Sequence, residues 1–441
     1  MKFIGWILLL SLLLAGCGGL DGQGNAGTGS ATATPGQAEV LATVTAPART
    51  PTTLPSQTPT SQVVQGTLTI WHSWNETQMP VMEEILQDFQ AQYPDVLFDV
   101  LYIPQENLRT RFESAMLEGR GPDILLGPAE WGPAFYQAGL VTSLDELAGQ
   151  GLLGTINPAA LDGARYQQAL VGLPYAQQGV VLYRNKALAS RAATTFDELD
   201  SLAKAAAQGE IIGADLDLGL FFSGGHLQGL GGKLMNEDGA PVFNNERGLA
   251  WLELLKRLGQ VGASEYQSDR DLELFKEGRV GWIIDGTWNL GALSEALGAE
   301  NLAIDTWPSY PGGSLAGYVQ PANLYLSQAA QGDDRLAAWK FMEAFLSPPA
   351  QSRLNQVDLF PVVSGIRFAD PRQEVLLTQA LTALAGGAAY PVAPEMALYL
   401  APLDAALQSV IAGNSTPAEA LNAAEQAILV ALAQAKATPT P

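Results

Sequence analysis

Cysteine, histidine and positive charge are all scarce in this chain of 441 residues. Its single cysteine, Cys17, cannot form an internal disulfide, and its two histidines, His72 and His226, stand in no zinc-binding His-Glu-x-x-His pattern. Lys and Arg number 23 against 45 Asp and Glu, so the net charge is −22. A polyanion of this kind repels phosphate groups, which argues against nucleic acid as a partner and against a polybasic membrane anchor.

Aromatic residues are absent from one long segment, residues 18–65, which is rich in Gly, Thr, Ala, Pro and Ser. A segment of this composition cannot bury enough apolar surface to offset the entropy of folding. It predicts a disordered tether over 17–65 and a folded body that starts near Gly66. At the other end of the chain, we expect residues 436–441 to fray.

The start of the chain has the pattern of an export signal. Met1-Lys2 precede an apolar run, Phe3–Leu14, that is too short to span a bilayer and ends in small residues, so residues 1–16 are interpreted as a signal peptide. The sequence Leu14–Cys17 resembles a bacterial lipobox, in which the signal is cut before the cysteine and the thiol receives the lipid. The resemblance implies a protein anchored by lipid to the outside of a bacterial membrane, at the cell surface or in a periplasm. An ordinary signal peptide with an incidental cysteine is the alternative.

The folded body alternates strand patterns with helix patterns. β-prone residues over 67–71, 96–103 and 122–126 predict strands, and apolar residues at helical spacing over 79–89 and 108–116 predict the helices between them. Alternation of this kind favours parallel sheets with crossover helices.

Later segments continue the same pattern. Residues 280–284 predict a buried strand, and residues 335–346 and 403–411 predict amphipathic helices. Thr195–Glu198 and Thr416–Glu419 fit the capping box that begins a helix. No apolar run after the signal is long enough to cross a membrane.

Several motifs in order resemble the extracellular solute-binding proteins that serve ABC importers, in the carbohydrate branch that includes maltose-binding protein. In the family's "YNK" motif, Arg184 here separates the tyrosine from the asparagine. The resemblance runs from Gly66 to the end of the chain, about 85% of its length. The matching segments, in order, are Leu68–Trp74, Gly121–Ile124 with Gly139–Val141 and Leu144, Gly172–Tyr175 with Val181–Tyr183 and Asn185-Lys186, Phe275–Trp282 with Asp285–Trp288, Ala337–Phe341, and Phe360-Pro361.

The resemblance implies an α/β fold of the two-lobed periplasmic-binding-protein type (type II). Each lobe is a doubly wound sheet flanked by helices, and crossover segments form the hinge. We expect crossovers near Tyr175–Gly179, Leu315–Pro321 and Arg353–Phe360. The predicted division after the tether is 66–176 for lobe 1, 177–316 for lobe 2, 317–355 for lobe 1 again and 356–435 for lobe 2 again.

A sugar presents apolar C–H faces and a rim of hydroxyl groups, so its site needs aromatic rings beside hydrogen-bonding groups. Open α/β sheets bind ligands in the loops that follow their strands, and several loops here carry such side chains. His226, Tyr310 and Tyr399 are weaker candidates from lobe 2. The full set of candidate ligand-binding residues is Trp71, Ser73, Trp74, Asn75, Glu76, Glu130, Trp131, Gln177, Gln178, His226, Asp285, Trp288, Asn289, Tyr310 and Tyr399.

Structural roles are open for some of these residues. For Trp71, Glu130 and Trp131, a structural role and a contact with the ligand are equally consistent with the sequence. The pattern indicates structural roles for His72, as a hydrogen-bond donor, and for Asp123, which caps or supports a turn. Three more tryptophans on apolar helix or strand faces are predicted core residues, namely Trp251, Trp282 and Trp339.

The favoured function is a lipid-anchored monomeric receptor that captures a sugar or oligosaccharide in the cleft and delivers it to an ABC permease. It needs no cofactor or metal and does no covalent chemistry. Within the same class, glycerol phosphate or a polyamine is an alternative solute; the mapped loops hold no Arg for phosphate, whereas Glu76, Glu130 and Asp285 keep a polyamine possible. A secreted glycosidase or a structural surface protein are the alternatives from other classes.

Overall fold

The structure, a computed structural model, describes residues 63–265, 269–368 and 371–437. Within this range, the chain from Val64 to Lys436 forms one compact unit. The predicted signal peptide, Cys17 and nearly all of the predicted tether lie outside the described residues. At the C-terminal end, Lys436 and Ala437 still belong to a helix, and the rest of the segment expected to fray lies outside the described residues.

Strands in the described part of the chain run in sequence order as follows: β1 Gly66–His72, β2 Val96–Tyr102, β3 Ile124–Pro128, β4 Arg165–Tyr166, β5 Ala169–Leu170, β6 Leu173–Asn185, β7 Ile212–Asp217, β8 Ala263–Glu265, β9 Val280–Gly286, β10 Leu302–Asp305, β11 Ser309–Tyr310, β12 Gly313–Ser314, β13 Tyr318–Leu326, β14 Phe360–Pro361 and β15 Ala388–Ala389.

The α-helices described are α1 Met79–Gln92, α2 Gln105–Leu117, α3 Gly132–Gln137, α4 Gln150–Leu153, α5 Pro158–Gly163, α6 Phe196–Ala206, α7 Leu220–Ser223, α8 Gly225–Gly229, α9 Glu246–Leu258, α10 Arg270–Lys276, α11 Leu290–Leu297, α12 Gly332–Phe345, α13 Pro348–Arg353, α14 Pro371–Ala385, α15 Met396–Ile411 and α16 Pro417–Ala437.

One mixed sheet organises these elements, in the strand order β2-β1-β3-β13-β6-β9-β7-β8. Its two ends are parallel and are hereafter the β1 half (β2, β1, β3) and the β9 half (β9, β7, β8). The long strand β6 joins them, because it pairs with β13 up to Gly179 and with β9 from Val180 onward. This change of partner falls at the end of the predicted crossover Tyr175–Gly179.

The expected secondary structure is confirmed for the elements named above. The predicted strands correspond to β1, β2, β3 and β9, and the predicted helices to α1, α2, α12 and α15. Both caps form: the Thr195 and Thr416 hydroxyls accept hydrogen bonds from the Glu198 and Glu419 backbone N–H groups, at 3.1 and 3.3 Å. Glu419 Oε2 completes its box by accepting from the Thr416 N–H at 2.9 Å, whereas Glu198 Oε2 accepts from the N–H one residue earlier, that of Thr194, at 2.8 Å. These bonds satisfy donors that the start of a helix otherwise leaves unpaired.

The core also agrees with the sequence analysis. Trp251, Trp282 and Trp339 are all buried. Asp123 supports the junction of β1 and β3, because its Oδ2 accepts a hydrogen bond from the Thr69 N–H at 2.9 Å. The carboxylate thus links neighbouring strands from a buried position.

Arg184, the departure from the family's motif, lies buried on β6 and forms an ion pair with Asp305 on β10, with Nε 2.8 Å from Oδ2. Trp282 on β9 donates its Nε1–H to the same oxygen at 3.1 Å. Arg184 also donates to the carbonyl of Ala189 at 2.7 Å. The substitution therefore supplies a hydrogen-bonded junction between three strands, in which both charges are paired.

Candidate functional site

A glycine at the end of a strand, followed by a 3₁₀ turn and a helix, occurs once in each half of the sheet. In the β1 half, Gly127 of β3 precedes the turn Ala129–Trp131 and helix α3. The Trp131 ring packs over the glycine so closely that a Cβ there would lie 2.7 Å from it. Trp131 is buried, and its ring meets Phe135 at 5.9 Å between centroids. The residue at the middle of this turn, Glu130, is exposed.

In the β9 half, Gly286 of β9 precedes the turn Thr287–Asn289 and helix α11. A Cβ on Gly286 would lie 2.0 Å from the Trp288 ring, so the indole covers the glycine directly. Trp288 is nevertheless 41% exposed. An indole supported on one face and open on the other is a platform for a flat apolar surface.

Two further rings extend this platform. Phe221, in α7, lies 6.0 Å from Trp288 between ring centroids, and Tyr390, which follows β15, lies 5.9 Å from Phe221. Both are partly exposed. Phe221, Trp288 and Tyr390 are called the aromatic wall below.

Glu130 lies within electrostatic range of this wall. Burial raises the pKa of Tyr390 to about 12, and the negative charges of Glu130 and Asp404 contribute to that rise. Desolvation also raises the pKa of the Glu130 carboxyl, although its backbone N–H and Arg109 act in the opposite direction. Glu130 is exposed yet surrounded by protein, as expected for a carboxylate in a cleft. A carboxylate that follows β3 therefore lies within electrostatic reach of Tyr390, the ring of the wall that follows β15.

Asp285 and Asn289 support the turn that carries Trp288. Asp285 is buried, and its Oδ1 accepts hydrogen bonds from the Gly286 N–H at 2.6 Å and from Asn289 Nδ2 at 3.1 Å. Desolvation raises the pKa of Asp285 to about 6, because these hydrogen bonds only partly compensate for burial. Gln178, in the middle of β6, is partly exposed.

The loop after β1 is held mainly by internal contacts. Trp74 is buried and donates its Nε1–H to the Tyr175 hydroxyl at 3.0 Å. Trp71 is also buried, with the Arg111 guanidinium 5.7 Å from its ring centroid. His72 is structural as expected, but as an acceptor rather than a donor, since its Nδ1 accepts from the Trp74 N–H at 3.0 Å.

Polar residues of the same loop differ in exposure. Ser73 donates to Gln105 Oε1 at 2.5 Å. Asn75 supports the start of α1, because its Oδ1 accepts from the Thr77 N–H at 3.0 Å. Glu76 and Asn75 are exposed, so their side chains are accessible to a solute.

Four other candidates have internal roles. Gln177 is buried and donates to the Pro361 carbonyl at 2.7 Å. His226 is buried with Nδ1 2.7 Å from the Ala316 carbonyl oxygen, and Tyr399 is buried with its hydroxyl donating to Gly239 at 2.7 Å. Tyr310 packs edge-on against Phe196 at 5.5 Å. These contacts place the four side chains in the framework, not in the aromatic wall.

The sequence analysis missed Phe221 and Tyr390. Phe221 follows the end of β7, so the rule that selected Trp288, a ring in a loop after a parallel strand, applies equally to it. Tyr390 follows the two-residue strand β15, whose pairing with β13 joins residues 70 positions apart and has no local sequence signal.

Other kinds of site find little support in the described ranges. No group of three or more potential metal ligands occurs there, and no helix among these residues is long and apolar enough to cross a membrane. A cavity of about 210 Å³ beside α5 and α8 is lined largely by alanine and glycine, and it is smaller than typical small-molecule pockets.

Comparison with known proteins supplies the family. A model of the bacterial extracellular solute-binding protein family matches residues 84–366. The chain belongs to this family. Among relatives of this solute-binding protein, the maltotriose-binding protein of Pyrococcus abyssi is 24% identical over 316 residues, which are 68% of this chain and 67% of the relative. The galactooligosaccharide-binding protein of Bacillus subtilis is 26% identical over 336 residues, 70% of this chain and 76% of the relative.

Solved structures agree on the fold of this solute-binding protein. The extracellular solute-binding protein from Staphylococcus aureus in complex with maltose has a TM-score of 0.74 at 21% identity, and the alignment covers 84% of this chain and 98% of that one. A cyclo/maltodextrin-binding protein complexed with maltotetraose has a TM-score of 0.72 at 20% identity, with the same coverage. The predicted two-lobed α/β fold is therefore confirmed.

Proposed function

We propose that this protein is the receptor of an ABC importer and binds a neutral sugar or oligosaccharide in the cleft beside the aromatic wall. The observation that carries the proposal is the partly exposed Trp288, which is supported by Gly286 and Phe221. Glu130 adds a carboxylate within electrostatic reach of Tyr390 in the same wall. Exposed aromatic faces match the apolar face of a sugar, and a carboxylate accepts hydrogen bonds from its hydroxyls.

The named ligands of relatives support an oligosaccharide but differ in sugar type. One relative is a maltotriose-binding protein and another a galactooligosaccharide-binding protein. Both ligand classes present pyranose faces, so the wall suits either. We infer capture and release without covalent chemistry, since the buried carboxyl group of Asp285, three residues before Trp288, is engaged in hydrogen bonds that hold its own turn.

The lobes are proposed as in the sequence analysis: 66–176 with 317–355 in lobe 1, and 177–316 with 356–435 in lobe 2. Ligand would close them by a hinge motion at the crossovers. We further propose a monomer that docks on permease subunits and is held at the membrane by lipid on Cys17. A flexible tether of about 45 residues has a mean span of about 35–40 Å, which places the folded unit clear of the headgroups.

A ligand panel tests the proposal. Residues 66–441 are heated with maltose, maltotriose, a galactooligosaccharide, spermidine or glycerol 3-phosphate. A ligand present at one hundred times its dissociation constant stabilises the folded state by about 2.7 kcal/mol, so a neutral saccharide should raise the melting temperature clearly. Stabilisation by spermidine or glycerol 3-phosphate alone, or release of new reducing ends from the saccharide, would overturn the proposal in favour of another solute or a glycosidase.

A further inference from the structure

One side-chain hydrogen bond joins two exposed turns that lie far apart in the sequence. Gln168, at the tip of the hairpin formed by β4 and β5, donates its Nε2–H to Oε1 of Glu237. The two residues are 69 positions apart, and the proposed boundary between lobe 1 and lobe 2, after residue 176, falls between them. This hydrogen bond, called the strut below, therefore connects the two proposed lobes.

The hairpin that carries Gln168 is fixed to the part of the chain that follows β3. Tyr166 of β4 accepts a hydrogen bond from Gln137 Nε2, at the end of α3, at 2.6 Å. Asp145 Oδ2 accepts from the Leu170 N–H of β5 at 3.2 Å. The strut thus has a firm support in proposed lobe 1.

The turn of this hairpin has an unusual backbone. Gln167 and Gln168 have φ angles of 47° and 70°, the left-handed region that Asn and Gly occupy most readily in two-residue hairpin turns. Other residues in this region raise the free energy of the fold and persist only where the surroundings hold them, most often at functional positions. The strained turn presents the Gln168 amide towards Glu237.

The turn that carries Glu237 is held just as firmly. Asn236 Oδ1 accepts from the Asp238 N–H at 3.1 Å, which closes the turn around Glu237. Tyr399, in the first turn of α15, donates its hydroxyl to the Gly239 carbonyl at 2.7 Å. The strut therefore joins two supports that are each ordered by their own hydrogen bonds.

The strut lies away from the aromatic wall on both sides. Helix α3 starts beside the turn of Glu130 and ends at Gln137, which holds the hairpin. On the other side, Tyr399 is five residues, or about 7.5 Å of helix, before Asp404. Asp404 Oδ1 accepts from the Leu220 N–H at 3.4 Å, at the start of α7. The ends of α3 and α15 that hold the strut are thus the ends remote from the proposed sugar site.

The cavity of about 210 Å³ between α5 and α8 lies on the same side as the strut, since α5 leads into the hairpin and α8 precedes the turn of Glu237. Ala389 of β15 lines this cavity, whereas the next residue, Tyr390, belongs to the aromatic wall. Neighbouring side chains of an extended chain point to opposite sides. The chain at β15, which pairs with the crossover strand β13, therefore lies between the cavity and the wall.

We propose that the strut is a contact of the open form: it holds the lobes together on the side of the hinge away from the sugar cleft and breaks when sugar closes the lobes. The inference rests on the proposed function, since it assumes two lobes that close about the crossovers. When two bodies turn about a hinge, a contact on the side away from the cleft separates as the cleft closes. Closure must then break the Gln168–Glu237 hydrogen bond, and this loss subtracts from the sugar affinity.

The first test uses residues 66–441 with Gln168→Ala, Glu237→Ala and the double variant. Gln167→Ala is the control, because Gln167 is exposed in the same turn and also has a positive φ. Affinity is measured by calorimetry with maltotriose or whichever saccharide the panel identifies. The dissociation constant should fall about two- to tenfold in each single variant, fall no further in the double variant, and change less than about 1.5-fold in the control. An unchanged or raised dissociation constant in both single variants would overturn the proposal.

A cross-link tests the opposite change. Residues 66–441 contain no cysteine, so Gln168→Cys and Glu237→Cys can be introduced together and joined by a short bis-maleimide. Joining them should weaken sugar binding at least about tenfold relative to the same variant capped with N-ethylmaleimide, because the strut can no longer open. Equal affinities of the joined and the capped protein would show that closure does not open the strut.

A ligand-free measurement separates this inference from the proposed function. Dyes on Glu83→Cys of α1 and Glu295→Cys of α11, both exposed positions, report the open and closed forms by single-molecule energy transfer. Gln168→Ala should raise the closed fraction by the same two- to tenfold factor, about as much as one hydrogen bond allows, with no sugar present. An unchanged closed fraction refutes the role of the strut even if sugar binds, and a raised fraction supports it even if no saccharide is found.

Discussion

Truncating Trp288 to alanine should weaken ligand binding more than it weakens the fold. A tryptophan offers about 250 Å² of surface, so the exposed 41% leaves about 100 Å² for a ligand to cover. At about 25 cal/mol per Å², that area is worth about 2.5 kcal/mol, and losses of about 1–3 kcal/mol are expected for a truncated stacking contact. The dissociation constant should therefore rise about 5- to 150-fold.

The cost to stability can be bounded in the same way. Complete burial of an aromatic residue makes truncation cost about 3–5 kcal/mol, and Trp288 is a little over half buried, so about 2–3 kcal/mol is expected. Trp251→Ala is the matched control, because Trp251 on α9 is fully buried and donates to the Ser223 carbonyl at 3.2 Å. Trp251→Ala should therefore cost the full value of about 3–5 kcal/mol in the free energy of unfolding.

Calorimetry with the identified saccharide and urea unfolding measure the two quantities separately. Trp288→Phe retains an aromatic face and should recover part of the affinity. If Trp288→Ala binds with unchanged affinity but is as unstable as Trp251→Ala, then Trp288 is a core residue and the reasoning about the wall is wrong.

Three further predictions use other parts of the molecule. Burial lowers the pKa of His72 and of His226 to about 4, so their contribution to stability is complete above about pH 6.5 and is lost as the pH falls towards 4. Urea unfolding of the wild type and of His226→Gln at about pH 4.5 and 7 isolates one histidine from the carboxyl groups: the variant should lose less stability between the two pH values, and equal losses would contradict the prediction. Asp305→Ala leaves Arg184 buried and unpaired and should cost about 3–5 kcal/mol in the same assay, whereas a cost below about 1 kcal/mol would show that the ion pair contributes little. Cys17→Ala should abolish lipid labelling in cells, and persistent labelling would disprove the lipobox interpretation.

The helices and strands named in the sequence analysis could be predicted because apolar spacing and capping residues act over a few neighbouring positions. Helix α1 could be predicted from apolar residues at helical spacing, and the caps of α6 and α16 from two side chains three positions apart. The strand β9 and its turn were likewise visible, since a buried run is followed by Asp285, Gly286 and Trp288 in order.

The placement of individual side chains was less predictable, because burial depends on contacts between distant residues. Trp74 follows a strand just as Trp288 does, yet Tyr175 and Phe345 enclose it from 101 and more positions away. His226 lies in a glycine-rich segment that resembles a loop, but Ala316 and Trp307 surround it. Tyr390 reaches the wall only because β15 pairs with β13. No spacing in the sequence distinguishes these outcomes.

The proposed site draws on both halves of the sheet, and this would let a receptor of this design signal its loaded state. Glu130 belongs to the β1 half, whereas Trp288 and Phe221 belong to the β9 half, so neither half alone offers both a stacking face and the carboxylate. A ligand shifts the balance between open and closed forms only by its difference in affinity for them, and moving it from 1:99 to 99:1 takes about 5.5 kcal/mol. Two stacked rings at about 1–1.5 kcal/mol each and several hydrogen bonds at about 1 kcal/mol each reach that value only when both halves contact the ligand. Closure should therefore reduce the radius of gyration in solution scattering when saccharide is added, and Trp288→Ala should need a higher saccharide concentration for the same reduction. A radius that stays constant while calorimetry proves binding would mean that one half holds the ligand alone.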